Sequence, residues 1–216
     1  LADRAGELRA VADIGTHWLD LILHVSGLEV EAVFSDLGTV HETRLRPTGE
    51  VETFAAGNGA DTEPVSVDTE DHGSVLLRFR NGAQGALWVS RTTPGRKNCL
   101  RYEIAGADAS LAWNSETPNE LWQGARDAAN QTVTRDPSLL SPAAAAHTSL
   151  PGGHNEGFHD TFKECFRAFY GSIVDGRRGP ATYPTFADGH REVALCEAIL
   201  RSHREERWIR TEGDAK

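Results

Sequence analysis

From Asp13 to Gly27 the apolar residues Ile14, Trp18, Leu21, Ile22 and Val25 recur at the spacing that lines one face of a helix. Ser26-Gly27 supplies the stop, since glycine accepts the left-handed backbone that ends many helices. The period then changes. Over residues 28–40, Val30, Ala32 and Phe34 alternate with Glu29, Glu31 and Val33, which predicts a strand. Residues 42–66 turn polar, rich in Gly, Thr, Glu and Pro, and read as an exposed loop.

From 66 to about 123 the alternation is that of an antiparallel meander. Val75, Leu77 and Phe79 alternate with Ser74, Leu76, Arg78 and Arg80, and Asn81-Gly82 turns the chain. Residues 83–91 return, Thr93-Pro94-Gly95 makes a second turn, and Leu100, Tyr102 and Ile104 begin the next strand. Residues 127–149 have weak periodicity and predict an irregular, mobile link. Helical spacing resumes with Phe158, Phe162, Cys165, Phe166, Phe169, Ile173 and Val174, ending before Gly176. It returns from Phe186 to Ser202, with Val193, Leu195, Cys196 and Ile199 as the apolar members, and residues 207–210 close the chain as a short edge strand. This order predicts a single α+β domain over 1–216: a largely antiparallel open sheet with helices packed on one face. The other face, bearing Trp88, Tyr102 and Trp113, is expected to be an oligomer interface joining a homodimer or homotetramer, because exposed aromatics are a liability in a monomer.

Composition removes several classes of function. The 216 residues are 39% apolar and 25% charged, an ordinary globular balance. With 22 Lys and Arg against 32 Asp and Glu, the net charge of −10 argues against nucleic-acid and anionic-membrane partners. No stretch reaches the roughly 20 apolar residues of a membrane span, and the charged opening LADRAGELRA is no secretory signal. Cys99, Cys165 and Cys196 are widely spaced and odd in number, as expected of reduced thiols in a cytoplasmic protein. The chain holds no Met and begins at Leu1, so it reads as a piece of a longer protein.

On a wheel of about 100° per residue, Asp13, His17, Asp20 and His24 form a stripe about 60° wide. Apolar positions flank it on both sides, which predicts that parts of it are buried, and buried carboxylates and imidazoles mark candidate sites. Two plainer readings stand beside this one: Asp13 as a helix N-cap, and His17 or His24 as core histidines. A metal hydrolase built on the four residues is a further alternative, but no ligand from another segment stands out and no metal is expected. A second constellation, LPGGHNEGFHD, holds His154, Glu156, His159 and Asp160 and presents His154 and Glu156 either to a ligand or to solvent in a helix-entry loop. The stretch from Gly57 to Thr62 begins like a dinucleotide fingerprint but runs into Pro64 instead of a helix, and no GxxxxGK[ST], HExxH or GxSxG occurs. Asn130-Gln131-Thr132 fits a glycosylation acceptor by chance.

Ala12-Asp13-Ile14-Gly15-Thr16-His17-Trp18-Leu19-Asp20 resembles the DxGxHxxD motif of the Gfo/Idh/MocA oxidoreductases. Residues 78–113, 150–162 and 183–191 resemble that family's central sheet, its loop and helix start, and its last helix entry, in the family's order. The resemblance implies the C-terminal substrate and oligomerisation domain of a protein whose N-terminal Rossmann domain, with the NAD(P) site and a catalytic lysine, lies upstream of Leu1. It further implies that Asp13 and His17 are catalytic, with His17 as the acid/base for a substrate hydroxyl and Asp13 orienting it. His154 and Glu156 are implied substrate contacts. The expected activity of the longer protein is NAD- or NADP-dependent oxidation or reduction of a secondary alcohol on a sugar, polyol or cyclitol. No cofactor is expected on this piece alone. The competing expectation is a non-catalytic dimerising or ligand-binding module of the same fold.

Overall fold

A computed structural model describes residues 6–49 and 61–211. The chain divides into two compact units, Leu1–Pro94 with Ala187–Lys216, and Gly95–Phe186.

The first unit opens with a π-helical turn, Val11–Gly15, that runs into α1, Thr16–Ser26. Gly27 ends the helix in the left-handed conformation (φ 66°), its N–H bonded to the Leu23 carbonyl at 2.9 Å, as Ser26-Gly27 predicts. Strands β1 (Val30–Gly38), β4 (His72–Phe79), β5 (Gln84–Ser90) and β10 (Ile209–Arg210) form an antiparallel sheet in the order β10-β1-β4-β5. The β4–β5 connection turns at Asn81-Gly82, with Gly82 at φ 88° and the Asn81 side chain accepting the Ala83 N–H. On one face Val33, Leu37, Val75, Leu77, Phe79, Leu87, Val89 and Ile209 are buried with Leu19 and Leu23 of α1. The helix Phe186–Glu205 completes this core with Leu195, Ala198 and Ile199.

β1 departs from the alternation expected of it. The register with β4 shifts between Val30 and Ala32, and such a bulge reverses which side chains point inward. Beyond it Val33, Ser35 and Leu37 are buried, and Phe34 packs instead against Trp208, with ring centroids 5.8 Å apart. Ser35 is tolerated in the core because every polar group there is bonded. Its hydroxyl donates to the Ile199 carbonyl at 2.6 Å, and its N–H donates to the Ser202 hydroxyl at 3.1 Å. The edge strand at the chain's end is confirmed: Val33 pairs with Ile209, and the Thr211 N–H donates to the Glu31 carbonyl.

The expected loop over 42–66 is in part a hairpin arm. β2 (Thr43–Pro47) pairs antiparallel with β3 (Thr62–Ser66). Its residues alternate between exposed and half-buried, but apolar Leu45 and Val65 stand among polar and charged neighbours, so no hydrophobic alternation announced it; the ladder and the Arg46–Glu63 ion pair hold it. The middle of the excursion, with most of the Gly57–Thr62 stretch, lies outside the described residues.

The expected meander from 66 to 123 is broken after β5. Its second half belongs to the other unit, where β6 (Arg101–Ala105), β7 (Ala109–Asn114), β8 (Glu120–Ala125) and β9 (Gln131–Thr134) make a separate antiparallel sheet. The link expected over 127–149 therefore contains a strand, and also a short helix, α2, Pro142–Ala145, capped by the Ser141 hydroxyl. Helix α3 follows at Phe158–Val174, and the helix Phe186–Glu205 is α4. α3 has no buried residue, and its stripe of Phe158, Phe162, Phe166, Phe169 and Ile173 is exposed. Tyr102 and Trp113 pack as tilted rings across β6 and β7 with centroids 6.0 Å apart, whereas Trp88 on β5 of the first sheet stands exposed.

Candidate active site

The adjacent buried carboxylates Glu70 and Asp71, just before β4, organise one end of the first unit. Both Glu70 oxygens accept the Arg9 N–H, at 2.9 and 2.8 Å, and one also accepts the Val11 N–H at 2.8 Å. These donors open the helix, where no carbonyl of the helix can reach them and the backbone dipoles favour a negative charge. Glu70 thus fixes where the helix begins.

Asp71 is fully buried. It accepts the N–H groups of Val40 and His41, at 3.1 and 2.9 Å, and pairs with Arg9 at 3.0 Å and with Arg44. Burial pushes its carboxyl up, but the His41 N–H, Arg44, the Val40 N–H and Arg9 together outweigh burial and hold Asp71 below the usual carboxylate range. Its carbonyl accepts the Arg91 N–H at 2.8 Å, which fixes the residue directly after β5. From that position the Arg91 guanidinium reaches the π-helical turn and pairs with Asp13. Beside the pair lies an open cleft of about 500 Å³, whose lining includes Leu8, Arg9, Asp13, Thr69 and Arg91. Burial, and then the charges of Arg44 and Arg91, lower Arg9 from the ordinary arginine value.

The helical stripe is exposed along its whole length, which corrects the expectation of partial burial: Asp13, His17, Asp20 and His24 all face solvent. The helix buries Val11, Gly15, Leu19, Ile22 and Leu23, while Ile14 and Val25 on the flanks stay exposed. The plainer readings of these residues are overturned as well. Asp13 is not the N-cap, a position held by Ala10, and neither His17 nor His24 lies in the core. Asp13 lines the cleft; His17 stands on the following turn, outside the cleft's lining.

Asp20 acts on α4. Burial first, and then the charge of Asp20, push the Glu192 carboxyl up to about 7, with Arg191 opposing. A folded-state value above the unfolded one means that stability linked to this group is full below the unfolded value and is lost as pH rises through about 7. The melting temperature of the wild type is therefore expected to fall as pH rises from about 4.5 to about 7 and to level off above that, and that of Glu192→Gln to stay level over the same range, as thermal denaturation would show. Equal slopes for the two proteins would remove the assignment.

In the second unit the loop from Ser149 to Glu156 is built around Arg135. Its guanidinium donates to the carbonyls of Leu150 and His154 and to the Asn119 side chain. Glu156 pairs with Arg135 at 2.8 Å, and its other oxygen accepts the Ser149 and Leu150 N–H groups at 2.8 and 3.3 Å. Both oxygens of Glu156 are thus engaged within the loop. The His154 side chain is exposed, its Nδ1 3.4 Å from the Gly152 carbonyl. Asp160 closes the start of α3 by accepting the Gly157 N–H at 2.8 Å, and the His159 ring meets Phe158 edge-on. Among the described residues no three His, Cys, Asp or Glu side chains are grouped so as to hold a metal ion.

Arg9, Arg44, Glu70, Asp71 and Arg91 were not singled out by the sequence reading. Only the adjacency of two carboxylates before a strongly alternating strand hinted at them.

An open antiparallel sheet covered by two helices, with a carboxylate and an imidazole one turn apart at the first helix's start, makes the first unit an α+β architecture. Residues 2–112 match the GFO/IDH/MocA C-terminal domain, and the chain belongs to that family. It is 29% identical over 205 residues to levoglucosan dehydrogenase of Pseudarthrobacter phenanthrenivorans, covering 93% of this chain and 51% of that protein. Among solved structures, an oxidoreductase from Sinorhizobium meliloti matches with a TM-score of 0.74 at 32% identity, over 93% of this chain and 52% of that one. Levoglucosan dehydrogenase in complex with NADH and L-sorbose matches with a TM-score of 0.78 at 28% identity, over 96% of this chain and 51% of that one. The chain spans about half the length of these relatives. No helix among the described residues is long and apolar enough to cross a membrane.

Proposed function

We propose that this chain is the substrate-side domain of an NAD(P)-dependent dehydrogenase acting on a secondary alcohol of a sugar, polyol or cyclitol, with Asp13 and His17 as its acid–base pair. The observation that carries the reading is the position of Asp13: it lines the cleft and lies one turn before His17. Support also comes from the relative that has been solved with NADH and L-sorbose.

Every strand pair among the described residues is antiparallel, so they offer no βαβ crevice for a dinucleotide. The cofactor would be held by residues outside this chain, and when bound it supplies the hydride acceptor or donor. This chain contributes the proton side of the reaction. The His17 imidazole takes the hydroxyl proton as the substrate carbon is oxidised and returns it in reduction, a task suited to a base that gains and loses a proton reversibly. Asp13 orients the reacting groups. His154, exposed in the second unit, is available to a ligand, and Glu156 serves its own loop. A second copy of the chain would cover the sheet face that carries Trp88.

The test is cofactor reduction by the protein extended upstream, across a panel of anhydrosugars, ketoses, polyols and inositols. Turnover with at least one of them, and none from residues 1–216 alone, is expected. Cofactor binding without turnover on any of them would favour a dimerising or ligand-binding module.

A further inference from the structure

Arg91 is the residue that grips Asp13. Its own placement is fixed from two sides. The Asp71 carbonyl holds its N–H at 2.8 Å, and the neighbouring turn is tied by hydroxyl contacts of Ser90 with Thr92 at 3.2 Å and Thr93 at 3.0 Å. The nearby guanidiniums of Arg9 and Arg44 are already engaged by Asp71. The positive charge of Arg9 opposes that of Arg91, and Asp13 lies near enough to offset it. Asp13 itself is weakly constrained by packing: its side chain is 59% exposed, against 32% for Arg91. A carboxylate so open to water samples several rotamers unless a fixed partner selects one. The contact runs from Arg91 Nη1 to Asp13 Oδ2, so Oδ1 is not part of it, and Asp13 lines the cleft.

We infer that Arg91 is a positioning residue: through its ion pair it holds the Asp13 carboxylate in the one orientation that serves His17 and the substrate hydroxyl. This rests on the dehydrogenase reading above. A guanidinium suits the task because it stays charged throughout the working range of an acid–base pair, so the clamp does not release as His17 changes protonation. An ion pair this exposed contributes little to stability. Its removal therefore separates positioning from a merely structural role.

The experiment is a double-mutant cycle in the upstream-extended protein, with Arg91→Ala, Arg91→Lys, Asp13→Asn and the double variant Asp13→Asn/Arg91→Ala. Arg91→Ala should lower kcat on the order of tenfold, with KM and cofactor affinity held within about twofold, and leave the melting temperature in place. Arg91→Lys should recover part of the loss. In the Asp13→Asn background, Arg91→Ala should add nothing, because there is no longer a carboxylate to position. An equal loss in both backgrounds, a rise in KM alone, or a fall in melting temperature without loss of kcat would overturn the inference. Wild-type turnover in Asp13→Asn marks failure of the acid–base reading and takes this inference with it. A slow Asp13→Asn beside a fast Arg91→Ala overturns the positioning role alone.

Discussion

His17→Ala, made in the upstream-extended protein, is expected to lower kcat by about 10²- to 10⁴-fold while cofactor binding stays near wild type. The size follows from the role proposed for the imidazole. Without a positioned base the hydroxyl must lose its proton to water as the carbon is oxidised, and the barrier rises by that lost assistance. Cofactor affinity is spared because no residue of this chain is proposed to hold the dinucleotide. Stability is spared too, since His17 is exposed and lies outside the core. Steady-state kinetics beside cofactor titration checks both halves. Turnover at the wild-type rate would remove His17 from the mechanism, and a matching loss of cofactor affinity would make it a binding residue.

The second large effect is on stability. Asp71→Ala is expected to destabilise the first unit by about 3 kcal/mol. Two main-chain N–H groups, from Val40 and His41, lose their acceptor in a buried place, and Arg9 and Arg44 lose the charge that draws them together. Each arginine retains some access to water, with side chains 27% and 30% exposed, which keeps the loss toward the lower end for a broken buried pair. In a chain of this size that amounts to a fall of roughly 10 °C in melting temperature. The acid side gives an independent check. Asp71 lies below its unfolded value in the folded protein, so its contribution is present above the unfolded value and lost as pH falls through the folded one. Asp71→Asn should flatten the loss of stability below about pH 4, and a wild-type acid limb in that variant would contradict the account.

The elements most legible in the sequence are those whose signal is local. Gly27 ends α1 because a left-handed residue is needed there, and Asn81-Gly82 turns β4 into β5 for a like reason. The alternation of β4 reads directly as buried Val75, Leu77 and Phe79 against exposed Ser74, Leu76 and Arg78, since no irregularity interrupts it. What escaped has a physical cause in each case. The register shift near Glu31 moves the inward set of β1 to Val33, Ser35 and Leu37, and nothing in the run of residue types marks where the pairing slips. The expected burial of the Asp13–His24 stripe rested on apolar flanks, but Ile14 and Val25 are themselves exposed, so the stripe faces solvent along its length. Asp13 and His17 entered as open possibilities from spacing and as catalytic residues only through the family motif. Arg91 could not be found along the chain, because its pairing with Asp13 joins a strand end to a helix start across 78 positions.

The division of the chain also bears on how the protein is made. The first unit is interrupted: its segments Leu1–Pro94 and Ala187–Lys216 flank the whole of the second. A chain emerges from the ribosome N-terminus first, and domains generally fold as units while it does so. α1 and strands β1, β4 and β5 are therefore complete well before Leu195, Ala198, Ile199 and Ile209, which finish their core, have been translated. Throughout that interval a hydrophobic sheet face stands without its second helix and without its edge strand. The second unit is uninterrupted and can form its four-stranded sheet in the meantime. Stalled or truncated translation ahead of α4 thus leaves a nascent chain with an open core, a natural client for chaperones.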